Sequence, residues 1–267
     1  MQMSVVYYSS REVAQHVLPT AEPGELLALT RLFDESAKTP LEPSDITSKI
    51  MSAGGHAVGN WLRGQGVPYT ELLYDTAKSV KCAGTDSPDT LTSTGLSVSE
   101  MDARALDARV KPEVSRTWRG PIEEYVRRHE QEVLKKIVVD TYERMSAQQR
   151  AEVDRRVVEL AGQLPGSGIK GLTTSAAFLV VTNAGGFATY MLMSTVISTL
   201  TAGLAGFGVY TAAASVLSVL VGPAGWTALG LAAVYKLGGP SPQRRLKAVV
   251  TIAMLRARIG FAPAAGQ

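Results

Sequence analysis

No acidic residue follows Glu159, and no charge of either sign occurs in the 65 residues from Gly171 to Tyr235. Everything beyond Glu159 is therefore neutral or basic: Lys170, Lys236, Arg244, Arg245, Lys247, Arg256 and Arg258 give this part +7, and with +3 overall the first 159 residues carry −4. The two parts have different electrostatic roles. Cysteine occurs once, as Cys82, which excludes an intramolecular disulfide and a zinc-type ligand pattern. The three histidines, His16, His56 and His129, are too scattered for local metal-ligand spacing. Met1 to Pro19 mixes polar and charged residues, so no cleavable secretory signal is expected there. Persistent period-two alternation is also lacking, which leaves little room for strands.

Helical signals fill the space. A chain of 267 residues can bury a core without disulfide or metal staples. Pro23 and Glu25 open a helix whose Leu26, Leu29, Leu32 and Phe33 share one face, with a stop near Thr39-Pro40. Ser44 caps a helix to about Met51, Gly54-Gly55 and Gly64-Gln65-Gly66 break the chain, and Pro68 suits the first turn of a helix to about Lys81. Residues 83–96, rich in Gly, Ser, Thr and Asp, read as a loop. Ser97 with Glu100, and Ser146 with Gln149, have capping-box spacing. Pro121 opens a long charged helix to about Met145, and a further helix ends near Leu164. The charges from Glu123 to Arg156 alternate in sign, for example Glu132 with Lys136, as on a solvated helix face. The expectation is an all-α fold: a multi-helix domain over 1–165, then a Gly/Ala-rich hydrophobic helical hairpin and a short basic C-terminal helix over 166–267.

The uncharged run is long enough for two bilayer spans, since each needs about 20 apolar residues. Thr173 to Ser198 would carry Phe178, Leu192 and Val196, and Gly203 to Val221 would carry Leu204, Phe207, Val216 and Leu220, with Trp226 at the interface. Lys170, Lys236, Arg244, Arg245 and Lys247 would then lie on one side and meet lipid headgroups. Gly185, Gly186, Ala202, Gly203 and Gly206 are small enough for close helix packing, which also suits self-association. The many Ser and Thr lower the apolar character, so stable insertion, conditional insertion and a buried soluble core stay open. Anionic lipids are the expected partners, with a second copy of the chain and a protein client or regulator. The basic cluster at Arg244 to Lys247 has no interleaved aromatics, which points away from nucleic acid.

Chemistry is thinly marked. Gly166-Ser167-Gly168-Ile169-Lys170-Gly171 fits G-x-G-x-x-G in letters, but a helix precedes it and no acid follows to meet a ribose, so it reads as a hinge. The denser segment is Gly54 to Tyr69, where His56, Asn60, Trp61, Arg63 and Tyr69 form a candidate ligand or partner site. Arg63 could hold a phosphate or carboxylate, or pair with Glu71 or Asp75. No catalytic residue, cofactor or metal is expected.

At Gly54-Gly55, Asn60, Leu62-Arg63-Gly64, Gly66-Val67-Pro68-Tyr69 and Leu72-Leu73-Tyr74-Asp75 the chain resembles the YaaW family of uncharacterised bacterial proteins. Gly222-Pro223-Ala224-Gly225-Trp226 and Val249 to Arg256 extend the resemblance, while 83–120 and the N-terminus match poorly. Some members carry a ubiquinol–cytochrome c chaperone label, which implies a shared helical fold and an assembly-factor alternative but no catalytic residues. The leading expectation is a non-enzymatic, membrane-inserting or pore-forming protein at the inner membrane, or cytoplasmic with conditional membrane association. The alternatives are an assembly factor with a protein client, and an enzyme using the Gly54 to Tyr69 segment.

Overall fold

The computed structural model describes residues 12–54, 69–82, 122–163, 177–178, 180–181, 186–205 and 240–259, and these are mostly helical, with no strand among them. The all-α expectation holds. A π-helical turn, Val13–Val17, and a 3-10 turn, Leu18–Thr20, lead into α1 (Pro23–Arg31), α2 (Pro43–Gly54) and α3 (Tyr69–Ser79). The longer helices α4 (Ile122–Tyr142), α5 (Ala147–Gln163), α6 (Gly186–Ala205) and α7 (Pro240–Ile259) follow.

Local chemistry accounts for several ends. Glu22 caps α1, its N–H donating to Glu25 Oε2 at 2.8 Å, and Pro23 supplies a first-turn residue whose missing N–H costs nothing there. The helix stops at Arg31, earlier than its apolar spacing suggests. Asp34 takes over the chain just beyond, accepting from the Ser36 N–H at 3.0 Å and hydroxyl at 2.6 Å in an Asx turn. At the start of α5 the expected capping box is present: Ser146 N–H donates to Gln149 Oε1 at 3.0 Å and Gln149 N–H to Ser146 Oγ at 3.2 Å. Ser146→Ala should cost about 0.5–2 kcal/mol, read as a lower denaturation midpoint with unchanged m-value.

The buried positions of α4 are Tyr125, Val126, His129, Glu130, Val133, Leu134, Ile137, Val138 and Thr141, a stripe at alternating spacings of one and three. Outside that stripe the charges do form a solvated face, but Lys136 pairs with Asp140 at 2.6 Å rather than with Glu132. On α5 Arg155 meets both Glu152 and Glu159 in exposed pairs of little energetic consequence.

Two elements differ from expectation. The break between the anticipated spans, after Ser198, falls inside α6, which continues to Ala205 because Ala202 and Gly203 are tolerated within a helix. Among the described residues no helix is long and apolar enough to cross a membrane. The C-terminal helix, anticipated as short and basic, has 20 residues and is enclosed on every side from Ala248 to Leu255. It packs against α2, α3, α4, α6 and the N-terminal turns, so it is central to the packing of these elements. The uncharged α6 lies against α4, α5 and α7 with Leu192, Met193, Val196 and Ile197 buried.

Candidate functional site

On α4 the apolar stripe is interrupted by His129 and Glu130, and on α7 the run from Ala248 to Leu255 ends in Arg256. The packing of α7 against α3 and α4 brings these interruptions together. Tyr69 Oη, at the start of α3, donates to Glu130 Oε1 at 2.7 Å, and Arg256 Nε donates to Glu130 Oε2 at 2.8 Å. Arg256 Nη1 reaches Glu12 Oε1 ahead of the N-terminal turn. Glu130 keeps 4% of its side-chain exposure and Arg256 13%, so this is a buried ionic cluster of two carboxylates, one guanidinium and one phenol.

The cluster's proton affinities follow from burial and charge. Burial raises the Glu130 carboxyl above its usual range, outweighing Arg256 and the Tyr69 hydrogen bond that pull it down. Burial, then the Glu130 charge, pushes the Tyr69 phenol well above 10. Burial opposes the charge on Arg256, but Glu130, Tyr69 and Glu12 overcome it and hold the guanidinium ionised. Tyr69→Phe should cost about 1.5–3 kcal/mol, the range for a hydrogen bond to a charged group. It should also move the Glu130 titration, followed by side-chain carboxyl NMR, further upward.

Two more ion pairs tie α7 to the N-terminal helices. Arg258 makes a two-pronged contact with the fully buried Glu25 at 3.0 Å on each prong, and its Nη2 also donates to the Thr20 carbonyl at 3.0 Å. Near the other end of α7, Arg245 reaches Asp75 on α3 at 3.3 Å. The ion pairs of Arg245, Arg256 and Arg258 with Asp75, Glu12, Glu130 and Glu25 thus tie α7 to acids within the first 130 residues.

A cavity of about 160 Å³ lies beside the cluster where α4, the first turn of α6 and α7 meet. Thr189 Oγ1 and Arg256 Nη2, on two residues of its wall, are buried and have no hydrogen-bond partner among the described residues. Gly186 begins α6 with φ +51°, and a methyl group there would meet no heavy atom within 4 Å. Backbone conformation, rather than close helix approach, calls for glycine at this position.

The residues singled out in the sequence fall as follows. Tyr69 is fully buried in the cluster, while His56, Asn60, Trp61 and Arg63 lie outside the described residues. Leu192 and Val196 are buried in the helix bundle, and Phe178 is half-buried with its ring 5.2 Å from that of Tyr142. Ala202, Gly203 and Leu204 belong to α6, whereas Gly185, Gly206, Phe207, Val216, Leu220 and Trp226 lie outside the described residues. Of the basic group, Arg244 is exposed, Arg245 pairs with Asp75, and Lys247 is half-buried with its ammonium pushed below the ordinary lysine range by burial. Lys170 and Lys236 lie outside the described residues.

Glu130 lay among the charges from Glu123 to Arg156 that read as a solvated face, and Arg256 among the basic residues beyond Glu159; a charged residue on the apolar stripe of α4 was the available signal. His129 sits on the same stripe, stacked on Tyr125 at 3.8 Å with Nδ1 against the Tyr125 carbonyl at 2.9 Å. Burial pushes the Cys82 thiol up to about 12, which leaves it a poor nucleophile at neutral pH. Among the described residues no group of three His, Cys, Asp or Glu could hold a metal. No family model, no curated protein and no solved structure matches the chain, so the YaaW resemblance rests on its motifs alone.

Proposed function

We propose that this chain is a non-enzymatic, conditionally membrane-inserting helical protein whose N-terminal helices sheathe an uncharged segment and latch it through α7. The observation that carries this reading is the enclosure of uncharged α6 between the charge-bearing α4 and α5 and the ion-paired α7. The partition of charge along the chain supports it, because Arg245, one of the residues expected at anionic headgroups, and Arg256 and Arg258 farther along α7 are held by acids of the N-terminal part. Release of the latch would free the arginines and uncover α6 in one step. Headgroups and internal carboxylates thus compete for the same guanidinium groups, which makes insertion conditional.

The latch can be weakened without removing a positive charge. A Glu25→Gln, Asp75→Asn chain keeps an α1 capping amide but loses the charge partners of Arg258 and Arg245. In flotation with phosphatidylglycerol vesicles at physiological salt, this variant should bind more than the unaltered chain and release more trapped dye. If neither protein floats with these vesicles, the membrane reading fails. Binding without dye release would retain insertion and remove pore formation.

A further inference from the structure

We propose that residues 12–31 form a strap that opens as a unit ahead of the rest of the fold and is closed by a clamp in the last turn of α7. The strap rests on the proposed sheath for its purpose, the baring of α7, but not for its mechanics. Among the described residues its π-helical turn packs on α2 and α7, its 3-10 turn on α7, and α1 on α2. Val13, Val17, Leu18 and Leu29 supply its buried apolar side chains. On its C-terminal side the strap has a place to pivot. Residues 32–42 hold no helix and are mostly exposed. Arg31 Nε donates to the Ala37 carbonyl at 3.0 Å, and the Leu41 N–H to Thr30 Oγ1 at 3.0 Å. This turn is bonded to α1 and travels with it, which puts the pivot between Leu41 and Pro43, where α2 begins.

Polar ties spread along the strap converge on one helix turn. Arg256 Nη1 donates to Glu12, Arg258 Nη2 to the Thr20 carbonyl at 3.0 Å, and Arg258 Nη1 and Nη2 to the two carboxylate oxygens of Glu25 at 3.0 Å each. Both arginines belong to the last turn of α7, which ends at Ile259. Terminal turns open at lower free energy than helix interiors, so ties gathered there are lost together by local fraying that leaves Ala248 to Leu255 in place. Glu25 Oε2 also accepts from the Glu22 N–H at 2.8 Å, so the clamp holds the same carboxylate that caps α1. Loss of Arg258 therefore loosens a helix start as well as a tie. The clamp reaches the uncharged helix too. Burial works against the Arg258 charge, and Glu25 and then Tyr190 of α6 outweigh it. Arg256 additionally serves Glu130 in the core, which makes Arg258 the cleaner place to test the clamp.

Amide hydrogen exchange, read by mass spectrometry on the intact chain without vesicles, tests the strap. In denaturant below the unfolding midpoint, the amides of residues 13–31 should exchange through an opening about tenfold or more as populated as the one that exposes α4 and α6. Arg258→Gln should raise strap exchange by a further factor of about ten, while the amides of α4, α5 and α6 stay within about threefold of the unaltered chain. Strap amides that open only with the global transition overturn the proposal. So does an Arg258→Gln chain whose exchange rises equally in every helix, or in none. Should that variant not fold, the denaturant series on the unaltered chain decides alone. Flotation plays no part in either measurement, so a failed strap leaves the vesicle test of the sheath standing, and a failed vesicle test leaves the strap standing.

Discussion

Arg256→Met is expected to destabilise the fold by about 3–5 kcal/mol, the range for removing one partner of a buried ion pair. The substitution keeps much of the side-chain bulk but strands Glu130, whose side chain is 4% exposed, and takes the guanidinium from Glu12. Against a total stability of about 5–15 kcal/mol for an ordinary domain, such a loss should be plain in denaturant or thermal unfolding. Much of the effect is the penalty of a stranded carboxylate rather than the net value of the pair. Adding Glu130→Gln should therefore recover part of it, and a double-mutant cycle should return a coupling of about 0.5–3 kcal/mol. Additive effects would mean that the two groups do not act through each other. The cluster also sets a pH trend. The folded-state pKa of Glu130 is raised, so the folded chain holds this proton more tightly than the unfolded one. Its contribution to stability is fully present below the unfolded carboxyl pKa and is lost as pH rises through the folded value. Glu130→Gln should remove that falling component, seen as a flatter stability profile from about pH 4.5 upward.

This cluster also shows what sequence can and cannot disclose. Helix starts carried by local chemistry were legible: Pro23 and Glu25 mark the start of α1, where Glu25 accepts from the Glu22 N–H, and Ser146 with Gln149 stands within hydrogen-bonding reach along the chain. The stripe of α4 has a period that belongs to one helix, but the segment reads only as a charged helix with a solvated face. Glu130 and Arg256 are 126 positions apart, and nothing in either neighbourhood encodes the other. The sign partition at Glu159 was legible, but its destination was not: a guanidinium answers a headgroup phosphate and an internal carboxylate alike. Arg245 and Arg258 took the internal partners Asp75 and Glu25. The end of α6 was obscured differently. Small residues such as Ala202 and Gly203 suit a turn, a helix crossing or a helix interior, and only packing decides among them.

Leu192→Ala is the second large effect, expected at about 2–5 kcal/mol because a fully buried leucine loses both its transfer energy and its surrounding contacts. Leu192 lies on α6 beside Met193, Val196 and Ile197 in the common core, with α4, α5 and α7 packed around the helix. Three separate helices pack on α6, which limits how readily the core can collapse onto the missing methyl groups. Ser198→Ala, at an exposed position of the same helix, should stay within about 0.5 kcal/mol and serves as the internal control. The comparison bears on mechanism as well as packing. A helix that met only lipid would have hydrocarbon on its outer face, and truncating a leucine there exchanges one apolar contact for another at small cost. A large cost at Leu192 in aqueous solution means that water is excluded from α6 by the rest of this chain, which the proposed sheath requires. The same truncation should then raise the fraction of protein that floats with phosphatidylglycerol vesicles, because a loosened core uncovers α6 more often. A large loss of stability with unchanged flotation would confine α6 to a structural role and sink the link between its exposure and the membrane.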